Sequence, residues 1–166
     1  MRAVKENAWG KINLYLDVTE KRTDGYHSVR SIMHAVGLYD VITVSTADAR
    51  DTDIRIYITG EEILPTGNKN LAYRAAELYL CRAGIVAKVR INIEKHIPVS
   101  AGLAGGSTDA AATLRALNRI YGHFTDRALS ELSAELGSHS RWTRRNWKKY
   151  SKTSPRRWGI TIQNGL

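Results

Sequence analysis

Cysteine is nearly absent from this 166-residue chain: Cys81 is the only one, and a lone thiol excludes an internal disulfide. It falls in a helix-like segment, where a small buried or half-buried apolar residue is expected. Long apolar runs are missing too, the longest being far too short to cross a bilayer as a helix. The opening Met1-Arg2-Ala3-Val4-Lys5-Glu6-Asn7 has no apolar h-region, so neither a secretory signal nor membrane association is expected. A reducing cytoplasm fits all three absences. Acidic residues are absent from one stretch only. Residues 139–166 hold eight Lys and Arg and no Asp or Glu, whereas the whole chain carries 25 basic and 16 acidic residues. The net charge of +9 is therefore a property of the tail, and the body is close to neutral.

What is present reads as a soluble α+β domain. Residues 8–18 alternate, with Ile12, Leu14 and Leu16 on one face and Lys11, Asn13 and Tyr15 on the other, which predicts a half-buried strand. Residues 29–38 and 41–46 predict two further strands, and residues 54–59 another. A helix is expected from about Asn70 to Arg82, with Leu71, Ala75, Leu78 and Tyr79 inward and Gly84 at its C-terminal stop. Residues 86–95 alternate as a strand with Val89, Ile91 and Ile93 on one face. Two more helices follow, from about Ser107 to Ile120 and from Thr125, a plausible N-cap, to Gly137. The early strands follow one another without helices, so they should be antiparallel, and α+β is favoured over a doubly wound sheet. Between 139 and 165 no apolar period persists, although Trp142, Trp147 and Trp158 lie there. An unstructured basic end is expected, with a nucleic-acid or anionic-membrane segment as the alternative.

The chemistry concentrates in Pro98-Val99-Ser100-Ala101-Gly102-Leu103-Ala104-Gly105-Gly106-Ser107-Thr108-Asp109. The stretch leaves a strand and opens a helix. Its glycines allow close backbone approach and φ > 0. The unpaired amides and the dipole at the helix start then make an anion site suited to phosphates. Ser107 and Thr108 add hydroxyls for phosphate or for a magnesium ion. The spacing is neither that of a Walker loop nor that of a dinucleotide fold.

These residues resemble the phosphate loop of the GHMP kinases. Two further blocks agree: Ala8-Trp9-Gly10-Lys11-Ile12-Asn13-Leu14-Tyr15 with Lys21-Arg22-x-Asp24-Gly25-Tyr26-His27, and Asn68-x-Asn70-Leu71-x-x-Arg74-Ala75. The resemblance covers residues 1–138 and implies the family's N-terminal ATP-binding domain. That domain has a ribosomal protein S5 domain 2-like fold, a mixed sheet with helices on one side. It further implies ATP and Mg²⁺, and a small-molecule substrate, cytidine diphosphate methylerythritol, phosphorylated on a hydroxyl in isoprenoid biosynthesis. In that reading Lys11 is the catalytic lysine. ATP is held by Pro98, Ala101, Gly102, Leu103, Ala104, Gly105, Gly106, Ser107 and Thr108, with Asn70 and Lys95. Asn13, Tyr26, His27 and Asp109 bind substrate, and Ser107 serves the metal.

One expected feature is missing. The family's catalytic aspartate follows a Gly-Ser pair, but here Gly137-Ser138 leads into His139-Ser140-Arg141-Trp142. Motif, acidic residues and periodicity stop together. Residues 139–166 are thus expected to be an aberrant, out-of-frame end, with the C-terminal kinase domain absent and the uncovered apolar face favouring association into a homo-oligomer. Three functions stay open: an active kinase, a nucleotide-binding module without turnover, and a nucleic-acid-binding protein acting through the tail.

Overall fold

The computed structural model describes residues 1–21, 27–60, 64–136 and 161–164. Strand β1 (Arg2–Lys21) pairs antiparallel with β2 (His27–Asp48). Residues 29–38 and 41–46, expected as two strands, form one continuous strand. Its first half pairs with β1, and from Val41 onward it adds β4 (Ala87–Glu94) on the other edge. Strand β3 (Asp53–Thr59) closes the sheet in the order β1-β2-β4-β3. The β3–β4 pair is parallel, because α1 (Leu71–Ala83) carries the chain back across the sheet between them. The early antiparallel pair was expected; the parallel pair makes the sheet mixed.

Strand β4 shows why the helices lie on one side. Ala87, Val89, Ile91 and Ile93 are buried, whereas Lys88, Arg90, Asn92 and Glu94 face solvent, a strict period of two. The buried row continues through Ile42 and Val44 of β2 and Ile56 of β3, and α1, α2 (Gly105–Tyr121) and α3 (Asp126–Leu136) cover it. Helix α1 starts where Asn70 Oδ1 accepts the Ala72 amide at 2.9 Å and stops at Gly84 in the left-handed conformation, φ 63°. Thr125 caps α3 as expected, accepting the Ala128 amide through Oγ1.

Two expectations fail, each for a local reason. The first concerns the faces of β1. Leu14 and Leu16 are about half exposed, and Lys11 is buried at 5 %. Register shifts against β2 between Trp9 and Lys11, Asn13 and Tyr15, and Val18 and Glu20 insert extra residues, and each shift exchanges inward and outward faces. The second is Cys81, which is exposed. The buried positions of α1 are 72, 75, 76, 79 and 80, and residue 81 is turned about 100° beyond the last of them. Within residues 139–166, Thr161–Asn164 form β5, pairing antiparallel with Arg30–Met33 of β2. The rest of residues 137–166 lies outside the described residues, as do residues 22–26. No helix among the described residues is long and apolar enough to cross a membrane.

Candidate functional site

The glycine loop links β4 to α2, and its backbone is bent hard. Ser100, Gly102 and Ala104 take φ of 61°, 73° and 62°. Two of these are not glycine, and a Cβ in the left-handed region costs about 1–2 kcal/mol. Left-handed residues are a component of the anion-binding nests in which successive amides converge. Ala104 is also the N-cap of α2 and contributes no side-chain cap, so the first amides of that helix keep their need for an acceptor.

Strand β1 supplies the opposite wall. The same irregularity that turns Lys11 inward lets its backbone amide donate to the Leu103 carbonyl at 3.0 Å, fastening the loop to the strand. Lys11 Nζ donates to Asn13 Oδ1 at 3.1 Å, and Ser31 Oγ lies 3.2 Å from the same oxygen and 3.0 Å from the Tyr15 carbonyl, able to donate to one of them. With that oxygen taken, Asn13 has its NH₂ group to offer a ligand. Burial lowers the Lys11 pKa from its ordinary value.

A cavity of about 530 Å³ lies between these walls. Residues 98–107 line it, together with Lys11, Asn13, Asn70, Lys95 and Asp109, so most of the residues singled out in the sequence meet here. Leu64, Pro65, Lys69 and Leu71 complete the lining. Thr108 is the exception. Its hydroxyl donates to the Gly105 carbonyl at 2.9 Å and the residue is buried, so this threonine bonds within its own helix turn and does not line the cavity. Asn70 reaches the cavity, but its side chain also caps α1 and donates to the Pro65 carbonyl at 2.8 Å. Tyr26 and the side chain of His27 lie outside the described residues.

Beneath the loop is a buried charged cluster that the sequence only half disclosed. Lys95 Nζ donates to Asp40 Oδ2 at 2.5 Å and to Asp109 Oδ2 at 3.1 Å, all three side chains being nearly inaccessible. Asp40 was not singled out from the sequence, since an acid beside Tyr39 in a strand looks like any edge residue. Its other oxygen accepts the His96 and Ile97 amides at 2.6 and 2.8 Å. Burial pulls the Lys95 pKa down, but the carboxylates, Asp109 foremost, outweigh it and leave the pKa above its ordinary value. Burial pushes Asp109 up to about 8 against the pull of Lys95, and Asp40 adds to the rise. Burial disfavours the charged carboxylate, and a second carboxyl close by disfavours it further. Asp109 Oδ1 is buried with no hydrogen-bond partner among the described residues. Gly105 fits only because it has no side chain. A Cβ there would lie 3.1 Å from Lys95 Nζ and 3.2 Å from Ile97 Cγ2.

A sheet half covered by helices, with a left-handed glycine loop at a helix start facing a buried lysine, defines a class. Residues 70–143 match the GHMP kinases N terminal domain, and the chain belongs to the GHMP kinase family. Within the family it is similar to one enzyme in particular. It is 51 % identical over 136 residues to 4-diphosphocytidyl-2-C-methyl-D-erythritol kinase of Caldicellulosiruptor bescii, covering 81 % of this chain and 46 % of that one. The Bacillus subtilis enzyme of the same name is 46 % identical over 136 residues, again covering 81 % and 46 %. The chain thus spans about half the length of these curated relatives. A crystal structure of 4-(cytidine 5'-diphospho)-2C-methyl-D-erythritol kinase superposes with a TM-score of 0.69 at 38 % identity, over 83 % of this chain and 47 % of that one. Homoserine kinase from Cytophaga hutchinsonii shares the fold, with a TM-score of 0.60 at 18 % identity over 83 % of this chain and 42 % of that one.

Proposed function

We propose that residues 1–138 form the nucleotide-binding domain of a kinase that transfers the γ-phosphoryl group of ATP to a hydroxyl of 4-diphosphocytidyl-2-C-methyl-D-erythritol. The observation that carries this reading is the buried Lys11 set across one cavity from a left-handed loop at the start of α2. Phosphoryl transfer gathers negative charge on the equatorial oxygens, and little covalent chemistry is left for the protein. The loop amides and the helix dipole hold the phosphates, and Lys11 meets the charge on the group in transit. Its dry setting strengthens that attraction, and its bond to Asn13 fixes where the ammonium points. The base and sugar of ATP lie against Leu64, Pro65 and Leu71, which line the same cavity. Asn13, with Tyr26 and His27, receives the cytidine substrate.

Among the described residues no three His, Cys, Asp or Glu side chains come together to hold a metal. That suits magnesium, which commonly takes one or two protein oxygens and fills its shell with phosphate and water. Ser107, at the first turn of α2 on the cavity wall, would hold it. When bound, magnesium neutralises charge on the transferring phosphoryl group.

A coupled assay with Mg-ATP and the cytidine substrate tests the proposal. Turnover that disappears in Lys11→Ala supports it. Nucleotide binding with no turnover supports a second reading, a binding module, which the His139 after Gly137-Ser138 favours. No nucleotide binding at all by a folded chain refutes both.

A further inference from the structure

The sequence-derived site explains what could touch a ligand but not what keeps the loop and Lys95 in place. The structure assigns Asp40 as a positioning residue: one buried carboxylate fixes the Lys95 ammonium under the start of α2 and pins the entrance of the phosphate loop. Resting as it does on the nucleotide-binding reading above, the inference adds to it a residue outside the cavity wall.

The geometry is specific. Asp40 is fully buried at the point where β2 leaves its pairing with β1 alone and begins to pair with β4. One oxygen accepts two consecutive amides, His96 and Ile97, immediately before Pro98 begins the loop. The other accepts from Lys95. The far end of the loop is fastened by Lys11 to the Leu103 carbonyl, so the loop is held at both ends with no ligand required. An ammonium has three N–H groups. Asp40 and Asp109 take two, which leaves a third donor on a side chain that lines the cavity. The close approach of Lys95 Nζ to Gly105 sets that charge at the first residue of α2, where phosphate would sit. A loop and a cation already in place spare a ligand the entropy of ordering them.

The test is calorimetric titration of the 166-residue chain with Mg-ADP, with thermal melts run in parallel on wild type, Asp40→Asn, Lys95→Met and the double variant. Asparagine keeps an acceptor for the two amides and removes the charge that holds Lys95. The expected result is ADP affinity about tenfold weaker in each single variant, the scale of one charge-assisted hydrogen bond. The double variant should be no weaker than the worse single one, because both changes remove the same interaction. Asp40→Glu, which restores the charge, should recover part of the affinity. Wild-type affinity in Asp40→Asn or in Lys95→Met overturns the inference, as does an additive loss in the double variant. Should Asp40→Asn fail to fold, Lys95→Met and the double variant decide: equal, weakened affinities support the assignment and wild-type affinity in either refutes it. Failure of the wild-type chain itself to bind ADP refutes the nucleotide-binding reading and this inference with it, whereas wild-type binding unaffected by the variants refutes the inference alone.

Discussion

Gly105 and Gly106 are adjacent in sequence, yet alanine should destabilise the chain at the first and not at the second. At Gly105 the added Cβ would lie 3.1 Å from Lys95 Nζ, 3.2 Å from Ile97 Cγ2 and 3.4 Å from Ile97 Cβ. None of these can yield easily. Lys95 is clamped between Asp40 and Asp109, and Ile97 is 2 % exposed, with its amide bonded to Asp40. Overpacking of this kind costs about 1–3 kcal/mol. Replacing glycine within a helix returns up to about 1 kcal/mol. The net expectation for Gly105→Ala is a loss of about 1–2 kcal/mol, or a Tm lower by about 2–8 °C for a chain of this size. At Gly106 the Cβ would meet only Leu71 Cδ1, at an ordinary 3.8 Å. Gly106→Ala should therefore be neutral or raise stability by up to about 1 kcal/mol. Urea unfolding of the two variants beside wild type measures the difference. Equal stabilities, or a more stable Gly105→Ala, would refute the claim that Lys95 and Ile97 are rigidly packed under the loop.

Other consequences are smaller in scope. Ala104→Gly removes a left-handed Cβ at a helix N-cap and should stabilise the chain by about 0–1 kcal/mol once the added freedom of the unfolded chain is counted; a chemical melt showing a clear loss would contradict the strain argument. Asp109 stays protonated in the folded chain up to about pH 8 but ionises near 4 when unfolded. Its contribution to stability is therefore fully present below about pH 4 and is lost as the pH rises to about 8, by linkage. Asp109→Asn should flatten that part of the stability–pH curve, and an unchanged slope would show that Asp109 ionises normally. Lys11→Met removes a buried cation whose pKa is already depressed. It should leave the fold intact by circular dichroism while lowering kcat far more than it raises KM for ATP; a pure KM effect would move Lys11 from the transferred group to ground-state binding.

How far the sequence went depends on the kind of signal each element carries. Helix α1 and strand β4 were legible because burial and period agree there: Asn70 and Gly84 mark the ends of α1, and β4 alternates without interruption. The loop was legible because glycine positions and the strand–helix context are local. Strand β1 was misread in its faces, since three register shifts break the period of two and no residue type announces them. The continuity of β2 was hidden by the change of partner along its length, which interrupts the pattern but not the strand. Asp40 was invisible because its importance comes from Lys95 and Asp109, 55 and 69 positions away in sequence and brought together only by the fold. Thr108 shows another limit: the motif places its hydroxyl but does not disclose that it donates to the Gly105 carbonyl within its own helix turn.

The central claim is that the cavity between Lys11 and the loop at residues 98–107 holds a nucleotide by its phosphates. The most direct measurement is calorimetric titration of the chain with Mg-ADP, set against cytidine as a ligand without phosphate. The account predicts one ADP bound per chain, no comparable heat from cytidine at the same concentration, and loss of the ADP signal in Gly102→Val, which puts a branched side chain at φ 73°. A folded chain that binds no ADP, or one that binds it equally well with Gly102→Val in place, would contradict it.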